Sequence, residues 1–458
     1  MSGAVPSDKT VVTLMGSRPT DAPAGAASAA AAVAPVQFVE DMSAAQRAEA
    51  GEQLPAGLVN MGNTCYMNAT VQALRAVPEL RTALAAGAAS STLANKLNTT
   101  LTMLDGSTEA VTPMQLLSTV HAQFPQFGEP DRMGRFKQQD AEEFLAAVMS
   151  NLAHGSGSSS SELARAIPKL FGVKLALTDT CAESGETTTS EDSALKLVCN
   201  IEGGAGSASA VNHLADGLRL GMSGSIEKFS PALERNAVWE RQGRIAQLPK
   251  YLCTQFMRFY WKATPDSSDH AGIKCKLLRA VNFPADKLDM FPFATPELQA
   301  ALKPAREAEE AETAAQVASA GANVATPGVK RASPSHDAGD VPEEDMDDEL
   351  AAAIAMSLQG DGAAEAVASS GTTAATASGL LSGFPPKFKG YYELFAVVTH
   401  KGRSADSGHY MGWVRSQGDK WHVFDDDEVS PCDTEDVLAL RGGGDHHTAY
   451  LAFYRAKE

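Results

Sequence analysis

Residues 404–425 read SADSGHYMGWVRSQGDKWHVFD. His409–Arg415 and Trp421–Phe424 are strand-like runs with aromatic and β-branched residues. The stretch SQGDK between them is turn chemistry, so the segment reads as a β-hairpin. Folding it about Gly418 sets Asp425 opposite Met411, two residues from His409 and on the same face. Diagonal neighbours of this kind lie about 7–8 Å apart between backbones, within side-chain reach. A carboxylate at Asp425 can then fix the tautomer of His409 and leave its other nitrogen free as a base. His400, His422, His446 and His447 are the rival histidines nearby, with His446 and His447 read as loop residues after three glycines. Asp426 and Asp427 are open between solvation and an assisting role.

A base needs a nucleophile, and the chain has six cysteines with no C-x-x-C pair. That disfavours a disulfide framework or a paired-cysteine zinc site and leaves a lone reactive thiol as the feature to seek. Cys65 lies in GLVNMGNTCYMNAT (57–70), where Gly62 and Asn63 turn the chain into a helix over 64–76 ended by Pro78. The positive end of a helix dipole favours the thiolate. Asn60 and nearby loop amides are candidate donors to an oxyanion.

Working outward, QQDAEEFLAAVMSNLA (138–153) has Ala141, Phe144, Leu145, Val148 and Leu152 on one helical face. Strand-like runs follow at Tyr251–Phe259, Tyr392–His400 and Tyr450–Tyr454. Helices first and an antiparallel sheet later predict an α+β fold. Acidic residues outnumber basic ones, 56 to 38, for a net charge of −18. Binding to nucleic acid by phosphate neutralisation is therefore disfavoured. No apolar run approaches the ~20 residues of a membrane-crossing helix. Residues 18–36 are Ala- and Pro-rich, and 18–53 is read as a linker. No Phe, Trp or Tyr occurs from Ala294 to Gly383, and about 303–383 is expected to be a disordered insertion.

Four separated blocks, in order, resemble the ubiquitin-specific protease family (peptidase C19). GLVNMGNTCYMNATVQALRAVPEL is similar to its cysteine box, and DSGHYMGWVR with WHVFDDDEVS and AYLAFYR to its histidine box. QQDAEEFLAAVM and LPKYLCTQFMRFYWK match two further blocks. LFGVK, SPALERNAVW and RGGGDHHTAY resemble the proteasome-associated branch. The resemblance implies a papain-like thumb, palm and fingers spanning 54–456, with an antiparallel sheet in palm and fingers. Cys65 matches the nucleophile, His409 the general base and acid, Asp425 the residue orienting the imidazole and Asn60 the oxyanion position. The implied partners are ubiquitin, ubiquitin–protein conjugates and the 26S proteasome, and no cofactor is implied. The implied reaction is hydrolysis after ubiquitin's C-terminal glycine.

Further expectations rest on the same resemblance. Many relatives carry a four-cysteine zinc site in the fingers. Here only Cys181 and Cys199 fall in that region, so no structural metal is expected. VVTLMGS (11–17) is similar to the last strand of the branch's ubiquitin-like domain, and 1–17 is read as a remnant of it, which puts proteasome docking in doubt. EEDMDDELAAAIAMSLQGD (343–361) resembles a ubiquitin-interacting motif, with Leu350, Ala353 and Ser357 on the binding face. The loop Arg403–Gly408, including Ser404, Asp406, Ser407 and Gly408, matches one that covers the cleft. The expected location is the cytoplasm, with the nucleus left open. The competing reading is a catalytically idle ubiquitin-binding adaptor.

Overall fold

The computed structural model describes residues 54–89, 91–131, 133–154, 162–201, 211–262, 273–322, 379–404, 407–444 and 446–457. The 1–17 and 18–53 segments, the 343–361 motif with Leu350, Ala353 and Ser357, and Asp406 lie outside them.

The first part is helical: α1 (Cys65–Arg75), α2 (Pro78–Gly87), α3 (Thr92–Asp105), α4 (Met114–Gln123), α5 (Ala141–His154) and α6 (Glu162–Phe171). Pro78, expected to end the first helix, instead opens the second. At a first-turn position its missing N–H and fixed φ cost nothing. Helix α5 starts at Ala141, because the Asp140 carboxylate accepts from the Glu142 N–H at 2.8 Å and caps it. Gln138 and Gln139 are thus left in an extended approach to the helix.

Two sheets follow. The fingers comprise β1 (Val173–Cys181), β2 (Thr187–Ala194), β4 (Ser223–Ser230) and β5 (Arg235–Gln247), antiparallel in the order β2-β1-β5-β4. The palm sheet is built from β3 (Leu197–Cys199), β6 (Tyr251–Phe256), β10 (Tyr391–Ser404), β11 (Ser407–Gln417), β12 (Lys420–Asp425), β13 (Glu428–Asp433) and β14 (Thr448–Ala456). Its order is β13-β12-β11-β10-β14-β6-β3, with only β3 and β6 parallel. The short strands β7 (Phe259–Lys262), β8 (Ile273–Lys276) and β9 (Leu288–Asp289) join its margin. The run expected over Tyr251–Phe259 is therefore two strands. Arg258 breaks it, turning its buried guanidinium onto the carbonyls of Ala449, Leu277, Arg279 and Arg441.

The palm is covered on both faces. Along β14, Leu451 and Phe453 pack with the thumb helices while Ala452 and Tyr454 pack with the opposite core. Two-sided burial explains why β6 is an unbroken buried run rather than an alternating one. Helix α7 (Leu214–Gly221) and helix α8 (Pro296–Ala322) lie with that second core.

Helix α8 corrects one expectation, since it runs well past residue 303, where unstructured chain was expected to begin. Leu298 and Leu302 are buried in the palm core, and Arg306 grips Asp289 through two bonds of 3.0 and 2.8 Å. The same guanidinium lies 4.5 and 4.7 Å from the Phe291 and Tyr391 ring centres. Aromatics missing from the helix itself are thus supplied by its neighbours. At the far end of the insertion, Leu380 and Leu381 pack against the same core. The whole is an α+β fold with helical thumb, sheet palm and sheet fingers.

Candidate active site

The turn ahead of α1 is tied by short-range bonds. Gly62 and Asn63 both have positive φ, +99° and +54°. The Asn60 side-chain oxygen accepts from the backbone N–H of Gly62 at 2.9 Å and of Thr64 at 3.3 Å. Thr64 Oγ1 accepts from the Met61 N–H at 2.9 Å. Cys65 follows as the first residue of α1 and is only 2% exposed. Its sulfur accepts from Gln138 Nε2 at 3.2 Å and from the Tyr410 backbone N–H at 3.4 Å. Two donors thus converge on one sulfur. Gln138 lies in a block quoted from the sequence, but that reading gave it no role.

Helix α1 lies directly against β11. A Cβ on Gly412 would come within 3.1 Å of the Ala69 carbonyl oxygen, a tight contact that glycine avoids. The β11–β12 hairpin has the expected register, Gly412 opposite Phe424 and Trp413 opposite Val423, with its irregularity confined to the turn end. Asp425 therefore reaches His409, and Asp425 Oδ1 lies 2.5 Å from His409 Nε2. The other ring nitrogen is left for Cys65. The bond to Cys65, assisted by Asp425 and opposed by burial, raises the imidazole from about 6.5 to about 9. The ring thus favours the charged form, an imidazolium beside a sulfur that two donors already hold.

A second acid lies one residue on. Asp426 begins the two-residue turn between β12 and β13, at φ +54°, a conformation Asp tolerates. Its carboxylate accepts from Asn60 Nδ2 and from Asn68 Nδ2, each at 2.8 Å. Burial raises its pKa, with both amides pulling the other way. Because the Asn60 oxygen is taken by backbone N–H groups, the orientation of its amide is fixed. One N–H goes to Asp426 and the second is left over. The segment before Asn60 is stitched to the same turn: Leu58 N–H donates to the Asp426 carbonyl at 2.8 Å. A Cβ on Gly57 would lie 2.6 Å from the carbonyl oxygens of Asp426 and Asp427.

Cys65, His409 and Asp425 are thus brought together, with Asn60 held beside them through Asp426. Both histidines after the three glycines lie outside regular elements as expected; His446 is exposed, and His447 is half-buried with its ring centre 6.0 Å from that of His409. His400 is fully buried, and burial lowers it to about 3. Ser407 and Gly408 line a groove of about 700 Å³ whose other walls include Gln138, Gln139 and Glu143. Ser404 pairs with Ser407, so the expected covering loop is a hairpin at its base. His409, Asp425 and Asp426 offer ligand atoms within 4.8 Å of one another, the one such group among the described residues. The hydrogen bonds above account for all three without a cation. Cys181 and Cys199 lie in different sheets and different cores, Cys181 in the fingers and Cys199 in the palm.

A family model described as ubiquitin carboxyl-terminal hydrolase matches residues 56–454. The chain belongs to the ubiquitin carboxyl-terminal hydrolase family. Membership carries a deubiquitinase role and cysteine-hydrolase chemistry in general terms. The chain is 37% identical over 413 residues to ubiquitin carboxyl-terminal hydrolase 6 of Arabidopsis thaliana, covering 88% of this chain and 78% of that protein. It is 33% identical over 438 residues to ubiquitin carboxyl-terminal hydrolase 6 of Schizosaccharomyces pombe, covering 93% and 82%. With ubiquitin carboxyl-terminal hydrolase 14 of Caenorhabditis elegans the identity is 30% over 425 residues, covering 90% and 75%. The matched span contains Cys65, His409 and Asp425.

Proposed function

We propose that this chain is a thiol-dependent deubiquitinase that hydrolyses the isopeptide bond after ubiquitin's C-terminal glycine. The observation that carries the reading is the Cys65–His409–Asp425 arrangement, with the imidazole raised to about 9 by its bond to Cys65. The Cys65 thiolate attacks the glycine carbonyl, and the spare Asn60 N–H donates to the oxyanion that forms. His409 gives its proton to the departing lysine amine, leaving a ubiquitin thioester on the sulfur. The now neutral imidazole then takes a proton from water, which attacks the thioester and releases the ubiquitin carboxylate. Asp425 holds the ring through both steps.

The proteasome-associated type is the finer part of the proposal: trimming ubiquitin from proteasome-bound conjugates in the cytoplasm, with the nucleus left open. LFGVK, SPALERNAVW and RGGGDHHTAY support it. The 343–361 helix motif would hold a second ubiquitin of a chain on Leu350, Ala353 and Ser357, raising its local concentration near Cys65. The Arg403–Gly408 loop would cover the cleft until a partner moves it.

The test is reaction with ubiquitin carrying a C-terminal electrophile. The parent chain forms a covalent adduct and Cys65→Ser forms none. Reversible binding without an adduct in the parent would overturn the enzymatic reading.

A further inference from the structure

We propose that His447 is a positioning residue for His409, acting as a neutral aromatic wall against which the reacting imidazole turns its ring. The inference rests on the deubiquitinase reading above and names a residue which that reading does not use. The two rings have centres 6.0 Å apart and planes at 77°, an edge-to-face contact. Such contacts favour a ring with a positive edge against a ring with an electron-rich face. With the His409 edge toward the His447 face, an imidazolium at His409 would gain more than a neutral imidazole.

The wall is itself held in place. Thr399, fully buried on β10, has its hydroxyl oxygen 3.1 Å from His447 Nδ1 and 3.1 Å from Trp413 Nε1. The same oxygen lies 3.3 Å from the Met411 carbonyl. An indole nitrogen only donates, and a hydroxyl has one proton and two lone pairs. The assignment that saturates all three contacts has Thr399 donating to Met411 and accepting from Trp413 and His447. His447 therefore carries its proton on Nδ1, and its ring angle is set by two strands of the palm.

The wall works only while uncharged, since two cationic rings would repel. Burial is the largest cause lowering His447 to about 4, with the charges of His409, Lys401 and Lys276 acting in the same direction and Asp425 against them. His409 faces Cys65 and Asp425, with Asp426 and the neutral His400 also nearby. Between about 4 and about 9, then, a charged His409 meets a neutral His447.

The test separates ring from hydrogen bond in the full chain. His447→Phe keeps the ring and loses the bond to Thr399, while His447→Gln keeps a partner for Thr399 and loses the ring. Two readouts are used: kcat and KM on ubiquitin-aminocoumarin, and the pH profile of Cys65 alkylation by iodoacetamide, followed by peptide mapping. His447→Gln is expected to lose about tenfold in kcat with KM within about twofold. Its alkylation profile should move up by about one pH unit, because a less favoured imidazolium supports the thiolate less. His447→Phe stays within about threefold in kcat. Parent-like behaviour of both variants, or a Phe variant worse than the Gln variant, overturns the inference. If the parent chain cleaves no ubiquitin substrate, the functional proposal falls, while the alkylation profiles still decide the ring contact.

Discussion

Two aspartates, one in the fingers and one at the end of the palm, are almost equally hidden and have opposite electrostatics. Asp179 on β1 is 3% exposed and Asp426 is 9% exposed. Asp179 is gripped by Arg241 at 2.7 and 3.0 Å and by Lys228 at 2.9 Å. The Arg241 bond is the main reason its carboxyl is lowered to about 2. Asp426 is held by the Asn60 and Asn68 amides, with the charge of His409 nearby, and burial raises it. A fully neutralised acid is a structural clamp. An acid bound by amides spends its bonds on orienting Asn60. That difference separates holding a sheet together from preparing a reaction.

The sharpest break in the comparison is Asp426→Ala. Asn60 then loses the acceptor that anchors its amide, and Asn68 loses a buried acceptor. Loss of one oxyanion donor costs about 10²–10³-fold in kcat, and a drop of about 100-fold in kcat on ubiquitin-aminocoumarin is expected. Circular dichroism of the variant should match the parent. A loss under about threefold would show that Asn60 holds its place without Asp426.

Next in size is the alkaline limb. His409 is raised above its ordinary value, so its proton stays on as pH climbs and is lost through about 9. The leaving amine needs that proton, so kcat/KM should hold to about pH 9 and then fall about tenfold per unit. In Cys65→Ser the largest raising contact is weakened, and NMR titration of the His409 ring should show its pKa falling back toward the ordinary 6.5. An unchanged value would mean that Asp425 alone sets it. On the acid side the order of protonation separates the regions. Asp426, being raised, takes its proton first, whereas Asp179 keeps its charge until pH approaches about 2.

Legibility followed the same divide. The β11–β12 register could be read because a single turn about Gly418 fixes which residues face each other, and His409 and Asp425 followed from it. The place of Cys65 at a helix start was legible from its glycine- and asparagine-rich entry. Asp426, Gln138 and His447 were not assigned, because each acts through a partner distant in sequence: Asn60 on the opposite segment, Cys65 across the thumb, Thr399 on another strand. The triplet Asp425–Asp426–Asp427 was the one local signal for the first of these. Helix α8 was misjudged for a related reason, since the aromatics that hold Arg306 belong to neighbouring elements.

The smallest effect tests the fingers. Val173 and Ile245 of their sheet pack in the palm core, and away from them it has a minor core of Cys181, Ala237 and Trp239, with Ile226 and Leu233 packed on it. Lys228 lies 4.2 Å from the Trp239 ring centre and reaches Asp179, so one cation joins the apolar and ionic parts of the cluster. Asp179→Ala removes the carboxylate that Arg241 and Lys228 both grip, at a cost of about 2 kcal/mol. That loss should be confined to the fingers, because the core containing Cys181 and Trp239 is separate from those of thumb and palm. Hydrogen exchange should accelerate over 173–181 and 223–247 while the palm strands β10 to β14 keep their protection. Cys65 alkylation should match the parent, and KM for a ubiquitin substrate should rise by about two- to threefold as the fingers loosen. Equal acceleration in the palm would show that the two regions fold as one unit, and the contrast between clamp and reacting end would then be one of chemistry without one of stability.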